Sequence, residues 1–67
     1  MPATFKRDEL EAIKGRALAQ LHRHGATYGP FLRVVVDATP REWNVALGEL
    51  VADGQVTSDS SGTVRLA

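Results

Sequence analysis

The chain has 67 residues, no cysteine, and eight Lys/Arg against eight Asp/Glu for a formal net charge of zero. That length holds one domain with a small core, and the lack of cysteine excludes disulfide staples and Cys-based zinc sites. Zero net charge argues against a protein that simply coats nucleic acid, although it leaves room for a local basic patch.

No apolar run approaches the ~20 residues of a membrane span. The start, Met1-Pro2-Ala3-Thr4-Phe5-Lys6, lacks the apolar stretch of a secretory signal. A soluble, cytoplasmic protein of a reducing compartment, or a domain excised from one, is expected.

Residues 1–7 read as a flexible lead. Residues 8–24 read as the first helix: Leu10, Ile13, Ala17 and Leu21 recur at three and four, with Leu18 on the flank. Asp8 and Glu9 near its start and Arg23 near its end suit the helix dipole, and Gly25 is placed to end it. Ala26 to Gly29 reads as a short extended link, at most a single-bridge strand.

Pro30 suits the first turn of a second helix, expected over 30–37. Val34-Val35-Val36 would also pass as a buried strand on propensity. The flanking signals favour the helix.

Thr39-Pro40-Arg41-Glu42 is a strong helix start, with a capping threonine, proline at the first position and a glutamate completing a capping box. The third helix is expected over 40–53. It carries Trp43, Leu47, Leu50 and Val51 on one face with Ala46 at its edge, and Asp53-Gly54 ends it. Residues 55–66 then read as a two-stranded hairpin around the Asp59-Ser60-Ser61-Gly62 turn. The expected core is Leu10, Ile13, Ala17, Leu21, Phe31, Val35, Trp43, Leu47, Leu50, Val51 and Val56.

The fold class is therefore mainly α with a small β-hairpin (α+β): three helices and a carboxy-terminal two-stranded wing. Leu47-x-x-Leu50-x-x-x-Gly54-x-Val56 resembles the end of helix three and the first wing strand of winged helix-turn-helix proteins, MarR-type regulators among them. The longer phrase from Gly25-Ala26-Thr27-Tyr28 through Ala46-Leu47-Gly48-Glu49-Leu50-Val51-Ala52-Asp53-Gly54-Gln55-Val56-Thr57-Ser58-Asp59, with Val64-Arg65-Leu66 after it, is similar to a winged-helix module of large helicase-related (Lhr-type) DNA helicases. Gly48 and Gly29-Pro30 depart from that wording, and the ATPase motifs of a helicase are not in the sequence. The resemblance implies a winged-helix fold and, at most, an accessory module.

With Trp43 inward, Arg41, Asn44, Val45, Gly48 and Ala52 take the outer face of the third helix. In a helix-turn-helix this face enters the major groove of duplex DNA. Arginine suits guanine, asparagine adenine and valine a thymine methyl, and Gly48 permits close backbone approach. The plain alternative is a solvated face, and Glu49 beside it would repel phosphate.

The cations Lys6, Arg7, Lys14, Arg16, Arg23 and Arg33 are dispersed among acids and read equally as solubilising charge. Arg33 is the best placed of them for the DNA backbone, with Lys6 and Arg7 reaching from the amino end. The wing tip carries no cation, which leaves Arg65 as the basic wing residue.

Ala12, Gly15 and Ala19 form a small-residue stripe that would accept a partner helix or a second copy. Helix-favouring alanine is the simpler account of it. His22 and His24 diverge on a helix, with His24 expected to cover the core edge, so no metal site follows. No nucleophile with a neighbouring base and no phosphate loop stand out, and neither catalysis nor a cofactor is expected. The functional expectation is duplex-DNA binding through Arg41, Asn44, Val45, Gly48, Arg33 and Arg65. A protein-interaction module, or an accessory domain of a helicase-like assembly, is the rival.

Overall fold

In the computed structural model, which describes residues 6–67, glycines and a proline-led cap set the element boundaries. Helix α1 runs Arg7–His24 and is closed by Gly25, whose φ of 78° suits glycine and whose N–H bonds Leu21 O. Of the lead expected to be flexible, residues 1–5 lie outside the described residues. Arg7 is already helical.

Strand β1 is Thr27–Tyr28, helix α2 is Gly29–Val35, and helix α3 is Pro40–Ala52. Strands β2, Val56–Ser58, and β3, Thr63–Leu66, complete the chain. At the start of α3 both bonds of the capping box form: Glu42 N–H to Thr39 Oγ1 at 3.2 Å, and Thr39 N–H to Glu42 Oε1 at 2.9 Å. At its end Gly54, with φ of 74°, donates to Val51 O and Gln55 N–H donates to Leu50 O. That pair of bonds is a Schellman closure.

The sheet has three antiparallel strands, not the two expected, in the order β1-β3-β2. Thr27 and Tyr28 pair with Val64 and Thr63, while β2 pairs Val56 with Leu66 and Ser58 with Val64. β-Branched Thr27 and aromatic Tyr28 suit a strand, and their pairing covers what would otherwise be an open edge of β3.

Gly29 extends this contact, since its N–H donates to Gly62 O at 2.8 Å. A Cβ on Gly29 would stand 3.1 Å from that same oxygen and 3.7 Å from Val64 Cγ2. The close approach of α2 to the hairpin therefore favours glycine at this point, since a larger residue would push the hairpin back by a few tenths of an ångström.

The core joins Leu10, Ile13, Ala17 and Leu21 of α1 to Trp43, Ala46 and Leu50 of α3, closed by Val56 and Val64 of the hairpin. From α2 and the turn after it come Leu32, Val36 and Ala38. The expected Phe31 and Val35 are instead 59% and 41% exposed, whereas Leu32 and Val36 are 0% and 1% exposed. The helix is thus turned by one residue from the expected register. Its residues are apolar on nearly every side, so periodicity alone does not choose a face. The buried Gly29 against the hairpin does, because Gly29, Leu32 and Val36 share one side. On α3, Val51 is 44% exposed and Leu47 is half-buried against the core.

Helix α2 stops sooner than 37. Asp37 adopts φ of 57°, a left-handed conformation that glycine takes freely and asparagine and aspartate take occasionally. Asp37 N–H bonds Val34 O, and Ala38 N–H bonds Arg33 O, both at 3.1 Å. Two arginine side chains hold the same turn: Arg33 Nη1 donates to Ala38 O at 2.9 Å, and Arg16 Nε to Val36 O at 3.1 Å.

The register of α2 is open to direct test by chemical denaturation. Leu32→Ala is expected to cost about 2–5 kcal/mol, enough to endanger a domain this small. Phe31→Ala is expected to stay within about 0.5 kcal/mol. The reverse ranking would place Phe31 in the core. Asp37→Gly is expected to raise stability by up to about 1 kcal/mol by relieving the left-handed backbone, and a lower denaturation midpoint would contradict that account of the turn.

Candidate nucleic-acid interface

Three of the expected groove-facing residues share the outer side of α3. Arg41, Asn44 and Gly48 are exposed, as is Ala52 one turn beyond. The side chains of Arg41 and Asn44 have no hydrogen-bond or ion-pair partner among the described residues. Val45 departs from expectation, being half-buried and packed against the core. It lies one helical turn before Glu49, on the side of α3 that meets α1. Val51 takes the outward apolar place instead.

Glu49 does not oppose this face. Its carboxylate is turned toward α1, where Arg7 Nη1 reaches Oε2 at 2.8 Å and Lys14 Nζ reaches Oε1 at 2.9 Å. Glu11 closes the group, 2.9 Å from Lys14 and 3.4 Å from Arg7. Lys14 is only 7% exposed, with its ammonium held between the Glu11 and Glu49 carboxylates. Burial of a cation requires a partner, and Glu11 and Glu49 supply two.

The hydrogen bonds from Arg7, then from Lys14, pull the Glu49 carboxyl down to about 2. Bonding to Glu11 and Glu49 raises Lys14, and bonding to Glu49 raises Arg7. These two cations clamp α1 to α3 and are not available to phosphate as expected. Glu42, the other carboxylate of α3, is held in the capping box. The outward face is therefore free of carboxylates until Asp53, beyond the last turn.

Arg33 is half-buried and bonded to Ala38 O, so holding the α2–α3 turn is its first role. It also borders a cleft of about 340 Å³ between the start of α2, the first half of α3 and the hairpin. Trp43, Leu47 and Val64 line its apolar part, and Arg33, Asn44 and Ser58 its polar part. Ser58 and Leu47 carried no signal as site residues in the sequence. Only the folding of the hairpin back over α3 brings Ser58 beside Asn44, whereas Leu47 lies one turn on along α3 itself.

The wing tip is organised by Asp59. Its Oδ1 accepts from Ser61 Oγ at 2.6 Å, Ser61 N–H at 3.0 Å and Thr63 N–H at 3.1 Å. The bond from Ser61, then that from Thr63, lowers its carboxyl. Gly62, at φ of 87°, donates to Asp59 O and turns the chain into β3 as a type I turn with a G1 bulge. Arg65 Nη2 lies 2.8 Å from Asp59 Oδ2. The expected basic wing residue thus has its charge offset within the wing.

Ala12, Gly15 and Ala19 are exposed on α1, and a Cβ on Gly15 would meet nothing within 4 Å. His22 and His24 are both exposed, so His24 does not cover the core edge as expected. Among the described residues no group of His, Asp and Glu side chains is placed to hold a metal ion, and no helix is long and apolar enough to cross a membrane. No protein-family model, curated protein or solved structure matches the chain.

The ion cluster makes a pH-dependent prediction. The Glu49 carboxyl is lower in the folded chain than its ordinary 4.5. Its contribution to stability is therefore full above about 4.5 and declines as pH falls toward about 2. Glu49→Gln should lower the thermal midpoint at neutral pH, and the gap to the parent should narrow on acidification through that window. A gap of constant size would mean that packing, not the carboxylate charge, is what the substitution disturbs.

Proposed function

We propose that the chain is a winged helix-turn-helix domain that binds duplex DNA without catalysis, with α3 resting in the major groove. The supporting architecture is the order α1-β1-α2-α3-β2-β3, with a tight turn joining α2 to α3 and β3 central in the sheet. This order is in keeping with the winged-helix layout that the Leu47–Val56 wording implies.

One observation carries the DNA reading. Both carboxylates of α3 are tied back, Glu42 into the cap and Glu49 into the α1 cluster, while Arg41 and Asn44 stand outward with unoccupied side chains. Arg41, in the first turn, is placed to meet guanine O6 and N7, and Asn44, one turn on, to meet adenine. Gly48 adds no side chain between the helix and the groove wall. The cleft beside Asn44 gives the sugar-phosphate strand a recess bordered by Arg33 and Ser58.

A second reading is a protein-interaction module, or an accessory domain of a larger helicase-like assembly. It is favoured by the zero net charge and by the pairing of Arg65 with Asp59.

Binding of mixed-sequence duplex DNA, followed by fluorescence anisotropy over a salt series, separates the two. The DNA reading expects affinity to fall with rising salt as counterions are released, though less steeply than for a strongly basic binder. Arg41→Ala should cost about 1–3 kcal/mol on the preferred sequence and less on others. Arg65→Ala should change little, because its charge is already offset. Absence of binding to any duplex at low salt would reject the DNA reading and leave the protein-interaction one.

A further inference from the structure

Helix α2 is apolar on both sides. Leu32 and Val36 face the core, while Phe31, Val34 and Val35 stand outward at 59%, 62% and 41% exposure. Their spacing of three and four puts these three on one face. Arg33 is the only charged residue between Gly29 and Val36. A helix that is apolar all round is normally covered all round, and a contiguous exposed apolar patch marks a docking surface.

Beside Val35, α1 and α2 leave a groove of about 210 Å³. Ala19 and Gln20 line its α1 side, Val35 and Val36 its α2 side, and Arg16 and Arg23 border it. It has no lining residue in common with the cleft next to α3. No carboxylate lines it, and neither arginine has an ion-pair partner among the described residues. Arg16 uses Nε on Val36 O and on its far side borders Glu9, Asp37 and Glu42, so Arg23 carries the larger share of the groove's free positive charge.

We propose that this α1–α2 face docks an acidic amphipathic helix of a partner protein. Apolar side chains of the partner would cover Phe31, Val34 and Val35, and its flanking carboxylates would meet Arg16 and Arg23. The charge pattern selects this occupant. A second copy using the same patch would bring two more arginines and, from the groove lining, no carboxylate to meet them. Duplex DNA is bound mainly through polar contacts to phosphate and sugar, which leave an aromatic and two valines uncovered. A groove with an apolar wall and a cationic border is the form in which an amphipathic helix is taken up. The proposal does not depend on the DNA reading, because its residues lie outside the α3 face.

The test uses the full chain and two designed helical peptides. Both carry leucine at i, i+3, i+4 and i+7; one has glutamate flanks and the other lysine flanks. Amide chemical-shift mapping of isotope-labelled protein should show the acidic peptide perturbing Phe31, Val34, Val35 and Arg23. Calorimetry should find it bound roughly five- to tenfold more tightly than the basic peptide. Arg23→Glu should remove that preference, and Val34→Asp should abolish binding with circular dichroism unchanged. If Val34→Asp fails to fold, Phe31→Ser replaces it.

Equal binding of the two peptides, binding of neither, or shifts confined to Arg41, Asn44 and Gly48 would overturn the proposal. So would self-association of the free protein that Val34→Asp abolishes, since that would assign the face to a second copy.

Discussion

The direction in which α3 presents its outer face is set by the turn from Arg33 to Thr39. Nothing in the turn is long enough to be held by packing alone. The backbone closes on itself through bonds to Arg33 O and Val34 O, at the cost of a left-handed Asp37. Arg33 and Arg16 then hold its carbonyls from outside, Leu32, Val36 and Ala38 hold it from the core, and the Thr39–Glu42 box starts the next helix at once. The outer face of α3 thus follows a turn that is bonded on both sides.

Charge is distributed with the same constraint. Arg7 and Lys14 join α1 to α3 through Glu11 and Glu49, and Arg65 is drawn to Asp59 in the wing. Arg41 is the one cation at the centre of the proposed groove surface. On the proposed reading a domain so arranged would make few phosphate contacts, and affinity from it alone should be modest with a shallow dependence on salt compared with strongly basic binders. A second interface, such as the one proposed between α1 and α2, would add affinity or placement that α3 cannot supply alone.

Much of this was legible in the chain. The inward residues of α1, the capping box at Thr39, the core role of Trp43 and the hairpin turn follow from spacing and from the chemistry of individual residues. The rotation of α2 was not legible, because Phe31, Leu32, Val34, Val35 and Val36 offer apolar side chains in nearly every direction. Only Gly29 against Gly62 O resolves the choice, through a contact between residues distant in sequence. The third strand was hidden for a similar reason, since Thr27 and Tyr28 become a strand only when β3 is beside them. At the site, Arg41, Asn44 and Gly48 fall on the expected outer side. Val45, Arg7, Arg33 and Arg65 changed role because their partners, the core, Glu49, Ala38 O and Asp59, are set by tertiary structure and not by helical period.

The central claim is that the outer side of α3 is a nucleic-acid surface held in place by the turn before it. It is tested most directly by titrating isotope-labelled protein with a mixed-sequence duplex at low salt and following the amide resonances. The account predicts shifts clustered at Arg41, Asn44 and Gly48 and at the facing Ser58 and Gly62, with Phe31, Val34 and Val35 unmoved. No shifts anywhere, or shifts centred on the α1–α2 groove with α3 unmoved, would contradict it.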